Sequence, residues 1–311
     1  MKHPATYYLY RVLLTPLAWL PLRCLYGLAA VVYAVLAHVM HYRRTIIEDN
    51  LRRVFPEKSE AEREAIKRRY YHFLADVIVE IVKMLHFPER EVRKRVKVVG
   101  AEICDRHAAE GHPVFIMMGH YGNWEWAQST YDWMPGIDRH TQIYRPVHDA
   151  AMDALMLRAR GRFRGICIPQ GKAMREILRM SKEGVRFCCA FLSDQHPNSE
   201  KMRNWTTFLG QDSAYVTGAE DIGQRIGARY VYLDIERTSR GHYTMTFSDL
   251  HPLAGEEDHP WTKAYLVAME ASIRRQPELW LWSHRRWLYD RAGYEQHMRE
   301  FHELQLKKAI Q

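Results

Sequence analysis

Val114-Phe115-Ile116-Met117-Met118-Gly119-His120-Tyr121-Gly122-Asn123-Trp124-Glu125 is the stretch on which the fold turns. Five apolar residues in a row, stopped by glycine, predict a strand buried on both faces. The residues that follow predict a helix over 123–131, with Asn123 as a good N-cap. A histidine and a carboxylate four positions apart thus stand where a strand ends and a helix begins. Chance supplies that spacing often in a chain with 17 histidines. Its place after a buried strand, bracketed by Gly119 and Gly122, is what marks it.

Histidine is the usual general base because its pKa lies near working pH. Such a base needs a partner that fixes its tautomer and steadies the imidazolium. From the sequence, Glu125 is that partner for His120, kept ionised by the start of the helix. Gly122 lets the backbone approach a substrate, and exposed amides there suit an oxyanion or a phosphate. No G-x-S-x-G, P-loop or G-x-G-x-x-G competes for the role.

Outward from this point, strands and helices alternate. Strands are expected at 142–144, 166–168, 186–192, 230–235 and 242–247, and helices at 149–160, 173–181, 218–224, 261–275 and 294–307. A long helix over 59–86 opens on a capping box, Ser59 with Glu62. Alternation of this kind predicts an α/β fold with a mixed, largely parallel central sheet flanked by helices. There is no internal repeat, low-complexity tract or long linker, so one domain is expected behind the N-terminal segment.

That segment is the second strong signal. From 12 to 40 the only formal charge is Arg23, and 24–40 is uninterrupted. Such a run makes about 25 Å of helix, at the lower limit for a span. Pro16 and Pro21 break the earlier part. Tyr7, Tyr8, Tyr10, Trp19 and Tyr26 resemble an aromatic belt, and Arg43, Arg44, Arg52 and Arg53 outweigh Lys2 and Arg11. The expectation is a membrane anchor over 1–42, as a single helix or a hairpin, and a catalytic domain over 43–311 on the cytoplasmic side. The competing reading is a buried hairpin in a soluble protein.

The chain has 311 residues, is 47% hydrophobic and carries net charge +8. That balance suits an acidic partner: nucleic acid, anionic lipid or an acidic protein. Trp280, Trp282, Trp287 and Tyr289, interleaved with Arg285 and Arg286, suit base stacking on paper. The hydrophobic N-terminus argues against nucleic acid. Five cysteines without a CxxC pair argue against a zinc site or disulfide framework and fit a reducing compartment. No metal site is expected.

The segment Gly119 to Glu125 resembles the H-x4-E block of bacterial lipid A late (secondary) acyltransferases, within the lysophospholipid acyltransferase-like superfamily. Tyr144-Arg145-Pro146, Ser193-Asp194-Gln195, Phe208-Leu209-Gly210 with Thr217-Gly218, and Pro277 to Trp287 fit the same pattern in order, as does Tyr42 to Pro56. The match runs from about residue 10 to 290. It implies a glycerolipid acyltransferase-like fold and a membrane-associated enzyme of the bacterial inner membrane. The enzyme would move an acyl chain from a thioester, on acyl carrier protein or CoA, to a hydroxyl of a lipid A precursor. No cofactor is implied beyond that co-substrate. His120 and Glu125 take the catalytic positions, with direct attack and no acyl-enzyme.

Supporting roles follow. Arg145, biased to extended geometry by Pro146, suits a phosphate or oxyanion. Asp194 and Gln195, at a strand terminus, suit orienting an acceptor sugar or bracing Arg145. Gly122 and Asn123 are candidates for substrate contact. Arg158, Arg162, Arg164 and Lys172, in a basic stretch that also holds Arg160 and Arg175, suit docking of an acidic donor. Met117, Met118, Trp124, Trp126 and Trp133 are candidates for an acyl groove. Open alternatives are another acceptor (lysophospholipid, glycolipid or aminolipid), a thioesterase or acyl hydrolase, and a non-catalytic adaptor. The last predicts a degraded motif, and here His120, Glu125, Arg145 and Asp194 are all present.

Overall fold

The computed structural model describes residues 4–198 and 202–310, the last nine of these by backbone alone. Two helices come first, α1 (Ala5–Trp19) and α2 (Leu22–Ala34), the second closing with a wide turn at Val35–Val39. Then follow α3 (Arg44–Val54), α4 (Glu60–Met84), α5 (Glu89–Arg95), β1 (Val96–Val99), α6 (Glu102–Ala109) and β2 (Val114–Met118). The capping box on α4 is formed: the Glu62 amide donates to Ser59 Oγ, and the Ser59 amide donates to the Glu62 carboxylate.

Next come β3 (Arg139–Tyr144), α7 (Ala150–Arg160), β4 (Ile166–Pro169), α8 (Ala173–Lys182), β5 (Phe187–Leu192), β6 (Trp205–Phe208) and β7 (Gln211–Ala214). The chain closes with α9 (Gly218–Arg225), β8 (Arg229–Ser239), β9 (His242–Asp249), α10 (Pro260–Arg275) and α11 (Arg291–Ile310). The main sheet has the order β1-β9-β8-β2-β5-β3-β4. All its pairs are parallel except the β8–β9 hairpin. β2 is fully buried along its length because helices cover both faces, which is why its sequence does not alternate.

Strand alternation divides the sheet's side chains between two layers. Tyr243 of β9 faces α4, where its hydroxyl donates to Glu80; Tyr232 of β8 faces α10, where it meets Ser272. By register, Ile116 and Met118 share the α4 side, and Phe115 and Met117 the α9–α10 side.

Several elements differ from expectation, the short helices α3, α5 and α6 among them. The segment after the His120 loop is a 3-10 turn over Trp126–Trp133, not an α-helix from Asn123. Residues 126–131 are all buried, so no amphipathic stripe exists, and the Ser129 and Thr130 hydroxyls donate to the carbonyls three residues back. The helix dipole argued for Glu125 is correspondingly missing. β1 and the β6–β7 hairpin were not expected: β1 is short and charged in context, and β7 is polar, so neither carries an apolar period.

The N-terminal helices share the protein's core. Leu22, Leu25 and Ala29 pack into the same cluster as the sheet. The stretch Leu22–Val39 is long and apolar enough to cross a membrane by length and composition.

Candidate functional site

The carboxyl ends of β2, β3 and β5 lie side by side, and a cavity of about 940 Å³ opens over them, lined there by Met118, Tyr144 and Leu192. Open α/β sheets place ligands at such strand ends. His120 follows β2, Arg145 follows β3, and Ser193 to His196 follow β5; all except Asp194 line the cavity.

His120 does not pair with Glu125. Its Nδ1 lies 2.8 Å from Oδ1 of Asp194, a fully buried carboxylate. The second oxygen of Asp194 accepts the Trp280 indole N–H at 2.9 Å. Burial alone would raise the Asp194 pKa; the charge and hydrogen bond of His120, with the indole bond, outweigh it and hold the group down to about 2. An ionised Asp194 accepts a proton-bearing Nδ1, which leaves Nε2 as the lone-pair nitrogen. The expected His120–Glu125 pair is thus corrected to His120–Asp194.

Glu125 is also buried, and it pairs with Arg160. Arg160 donates from Nε to Oε2 at 2.9 Å and from Nη2 to Oε1 at 2.6 Å, a fork geometry that fixes both groups. Both line the cavity. By sequence Arg160 belongs to the basic stretch suited to an acidic donor. Its helix buries Ala151, Leu155 and Ala159, which places Arg160 at the inner edge of the buried stripe.

The loop itself is held from below. Gly119 sits against the thioether end of Met269: a Cβ there would lie 2.6 Å from it, so Met269 would have to shift. Gly122 has φ +59°, and a Cβ would meet Ile235 at 2.5 Å, so this glycine lets the loop sit on β8 and not on a substrate. Asn123 is fully buried; its Oδ1 accepts the Trp126 amide and its Nδ2 donates to Glu80. Gly122 and Asn123 are therefore scaffold, and neither lines the cavity. The Asn123 bond does have the N-cap form, but it caps a 3-10 turn.

Glu80, on α4, is not among the residues singled out from the sequence. Its carboxylate is fully buried and accepts from Tyr26 at 2.7 Å, Asn123 at 2.6 Å and Tyr243 at 2.8 Å. Burial raises its pKa, more than these three bonds lower it. A carboxylate inside the run Val77-Ile78-Val79-Glu80-Ile81-Val82 was the available signal. The tail closes the other side: Tyr121 bridges Trp280 in antiparallel fashion, Gly122 N–H donates to Leu279 O at 3.0 Å, and Leu281 N–H to His120 O at 3.1 Å. Trp280, Trp282 and Trp287 are buried, which makes them core and not a stacking platform.

Of the remaining candidates, Arg145 and Gln195 line the cavity, Arg145 at its exposed rim. Arg158, Arg162, Arg164 and Lys172 are exposed and outside it; Arg164 pairs with Asp132, and Arg162 donates to Leu85 O. Met118 and Trp124 line the cavity. Met117 points to the opposite sheet face, Trp126 is buried against Phe87, and Trp133 lies under Arg93. The deep wall is apolar, with Ile116, Tyr131, Leu233 and Phe247 among its residues. No group of three or more metal-ligating side chains occurs among the described residues.

Residues 1–289 match the family model for bacterial lipid A biosynthesis acyltransferases. The chain is 23% identical over 275 residues to a lipid A biosynthesis acyltransferase of Haemophilus influenzae, covering 86% of this chain and 82% of that one. It is 23% identical over 248 residues to a lipid A biosynthesis palmitoleoyltransferase of Escherichia coli K12, covering 78% of each. A lipid A biosynthesis acyltransferase of Shigella flexneri matches to the same extent.

Proposed function

The chain belongs to the bacterial lipid A biosynthesis acyltransferase family and is an acyltransferase, and we propose that it transfers a fatty acyl group from a thioester to a hydroxyl of a lipid A precursor with His120 as general base. The observation that carries this is the His120–Asp194 contact, which leaves Nε2 of a cavity-lining imidazole as the proton acceptor.

In this reading Nε2 takes the proton of the acceptor hydroxyl as its oxygen attacks the thioester carbonyl. The tetrahedral intermediate collapses with loss of the thiolate, which recovers the proton from the imidazolium. An ester and a free thiol result, with no acyl-enzyme. Asp194 holds the ring and steadies its positive form, and the Trp280 indole holds Asp194. The Glu125–Arg160 fork stiffens the cavity wall and keeps a cation there for an anionic group of donor or acceptor. Arg145 at the rim serves the acceptor's phosphate, and Gln195 its sugar.

The apolar wall at Ile116, Tyr131, Leu233 and Phe247 suits an acyl chain. Acyl carrier protein is the donor this reading favours. Exposed Arg158 and Lys172 flank the cavity-lining residues Arg160, Gln170 and Gly171, and suit an acidic carrier. The reading places the enzyme at the cytoplasmic face of the inner membrane. Supporting this, no acidic residue precedes Glu48 while Arg11, Arg23, Arg43 and Arg44 do, and the five cysteines are free.

Purified protein incubated with a lipid A precursor and acyl carrier protein thioester tests the reading. Mass spectrometry of the lipid should show a gain of one acyl chain, absent with His120→Ala. Free fatty acid without acylated lipid would make it a hydrolase, and an acyl adduct on the protein would remove the direct-attack mechanism.

A further inference from the structure

α1 and α2 each expose one continuous apolar stripe. On α1 it runs through Leu9, Val12 and Leu13; on α2 through Leu28 and Val31, continued by Val35 in the turn that follows. Val12 is 69% exposed, Val31 58% and Val39 74%. Monomeric soluble proteins rarely expose so much contiguous apolar surface. Trp19, at 68% exposure, marks the turn between the helices.

The opposite side of α2 is fastened to α4 along its length. The Tyr26 hydroxyl donates to Glu80, Tyr33 stacks on His72 at 3.6 Å, and the Tyr71 hydroxyl donates to the Tyr42 carbonyl. The partners run down α4 as the residues run up α2, so the two helices are antiparallel neighbours over nearly the whole apolar stretch. Lys83 Nζ ties the turn, donating to the carbonyls of Ala18 at 2.9 Å and Leu20 at 3.0 Å. The Tyr10 hydroxyl ties α1 to Asp149, the N-cap of α7.

This fastening conflicts with a span. Leu22–Val39 makes about 27 Å of helix, enough to cross the hydrocarbon only if it stands upright. Upright, it carries α4 with it, and Asp76, midway between the Tyr26–Glu80 and Tyr33–His72 contacts, comes to bilayer depth with its partners Arg237 and Arg240. Charged groups at bilayer depth are costly and call for a water-filled or protein-lined surround. Laid flat, the same helix buries its apolar stripe and keeps α4 in water.

We infer that α1 and α2 form one in-plane membrane-docking surface, inserted side-on into the headgroup boundary of an anionic bilayer, with neither helix spanning it. Charge selects the occupant: the first 47 residues carry Lys2, Arg11, Arg23, Arg43 and Arg44 and no acid, although Lys2 lies outside the described residues. A second copy of the same surface would meet like charge. The surface also reaches the cavity: Asp149, gripped by Tyr10, is four residues from Arg145 on the rim, and exposed Val147 lies between them. A lipid-anchored acceptor reaches His120 by moving sideways in its own leaflet.

The inference deepens the membrane part of the proposed function, and its test reads depth, not acyl transfer. Cys24, the one exposed cysteine, is labelled with a fluorophore; Val31→Cys and Val39→Cys are labelled in a Cys24→Ser background. The full chain is bound to vesicles of phosphatidylglycerol and phosphatidylethanolamine carrying shallow or deep quenchers. All three sites should be quenched more by the shallow quencher, and Val31→Glu should lower vesicle binding at least tenfold. Deepest quenching at the middle site, with shallow ends, would establish a span and overturn the inference while leaving the membrane reading intact. Absence of vesicle binding would overturn both, and a dimer abolished by Val31→Glu would assign the surface to a second copy. In either case acyl transfer to detergent-dispersed lipid would still stand.

Discussion

His120 and Asp194 lie 74 positions apart in the chain and 2.8 Å apart in space. The contact exists because β2 and β5 are adjacent parallel strands whose ends, Met118 and Leu192, are paired in register. Each strand then delivers one residue two positions beyond its end. The imidazole and the carboxylate it meets are therefore brought together by strand order.

Asp194→Asn keeps the size of the side chain and removes its charge. The amide offers the imidazole the wrong tautomer, so kcat should fall on the order of 10³–10⁴-fold with KM little changed. His120→Ala should cost as much, and the double variant little more, because the two act as one unit. Steady-state rates of the three variants, with thermal denaturation as a folding control, check this.

Glu125 works through Arg160. Arg160→Met strands a buried carboxylate and should destabilise by about 3–5 kcal/mol, and Glu125→Gln combined with it should recover a large part. Glu125 and His120 should show negligible coupling in the same kind of cycle. Denaturant unfolding measures both. Strong coupling of Glu125 to His120 and none to Arg160 would contradict the geometry.

The pH dependence of stability has two signs. Asp194 is depressed in the folded state to about 2, against about 3.9 unfolded. Its stabilisation, on the order of 2 kcal/mol, is present above about pH 4 and lost as pH falls toward 2. Glu80 is raised by burial, so its stabilisation is complete below about pH 4.3 and declines as pH rises through its folded value. Acid unfolding of Asp194→Asn should lack the first component. Glu80→Gln should flatten the decline at higher pH.

Gly122→Ala places a methyl 2.5 Å from Ile235 Cγ2 at a backbone φ of +59°. Strain and overlap together should cost about 2–4 kcal/mol and shift the His120 loop, with activity falling more than stability. Ile235→Ala in the same chain should restore only the part due to overlap. Melting temperature and kcat of single and double variants separate the two.

Much of this was legible before any coordinates. The buried run before Gly119, the alternation of strands and helices, the capping box at Ser59 and the apolar N-terminus are local patterns. They fixed fold class, largely parallel sheet and the place of the histidine. Glu125 looked like its partner because nearness in sequence was the only nearness available. Asp194 was noticed but given to the substrate. Arg160 was counted with its exposed neighbours, and Glu80 was passed over inside an apolar stripe.

What the chain alone determined, then, is which segments form strands and helices and which of them bury themselves, because backbone propensity and side-chain polarity are written in short windows. Which carboxylate meets which cation was decided only in the folded molecule. His120 with Asp194, Glu125 with Arg160, and Glu80 with Tyr26, Asn123 and Tyr243 each join segments well apart in sequence. Such pairings depend on strand order and on which helix face turns inward. A buried charge accepts only the partner that the packing brings within hydrogen-bond reach.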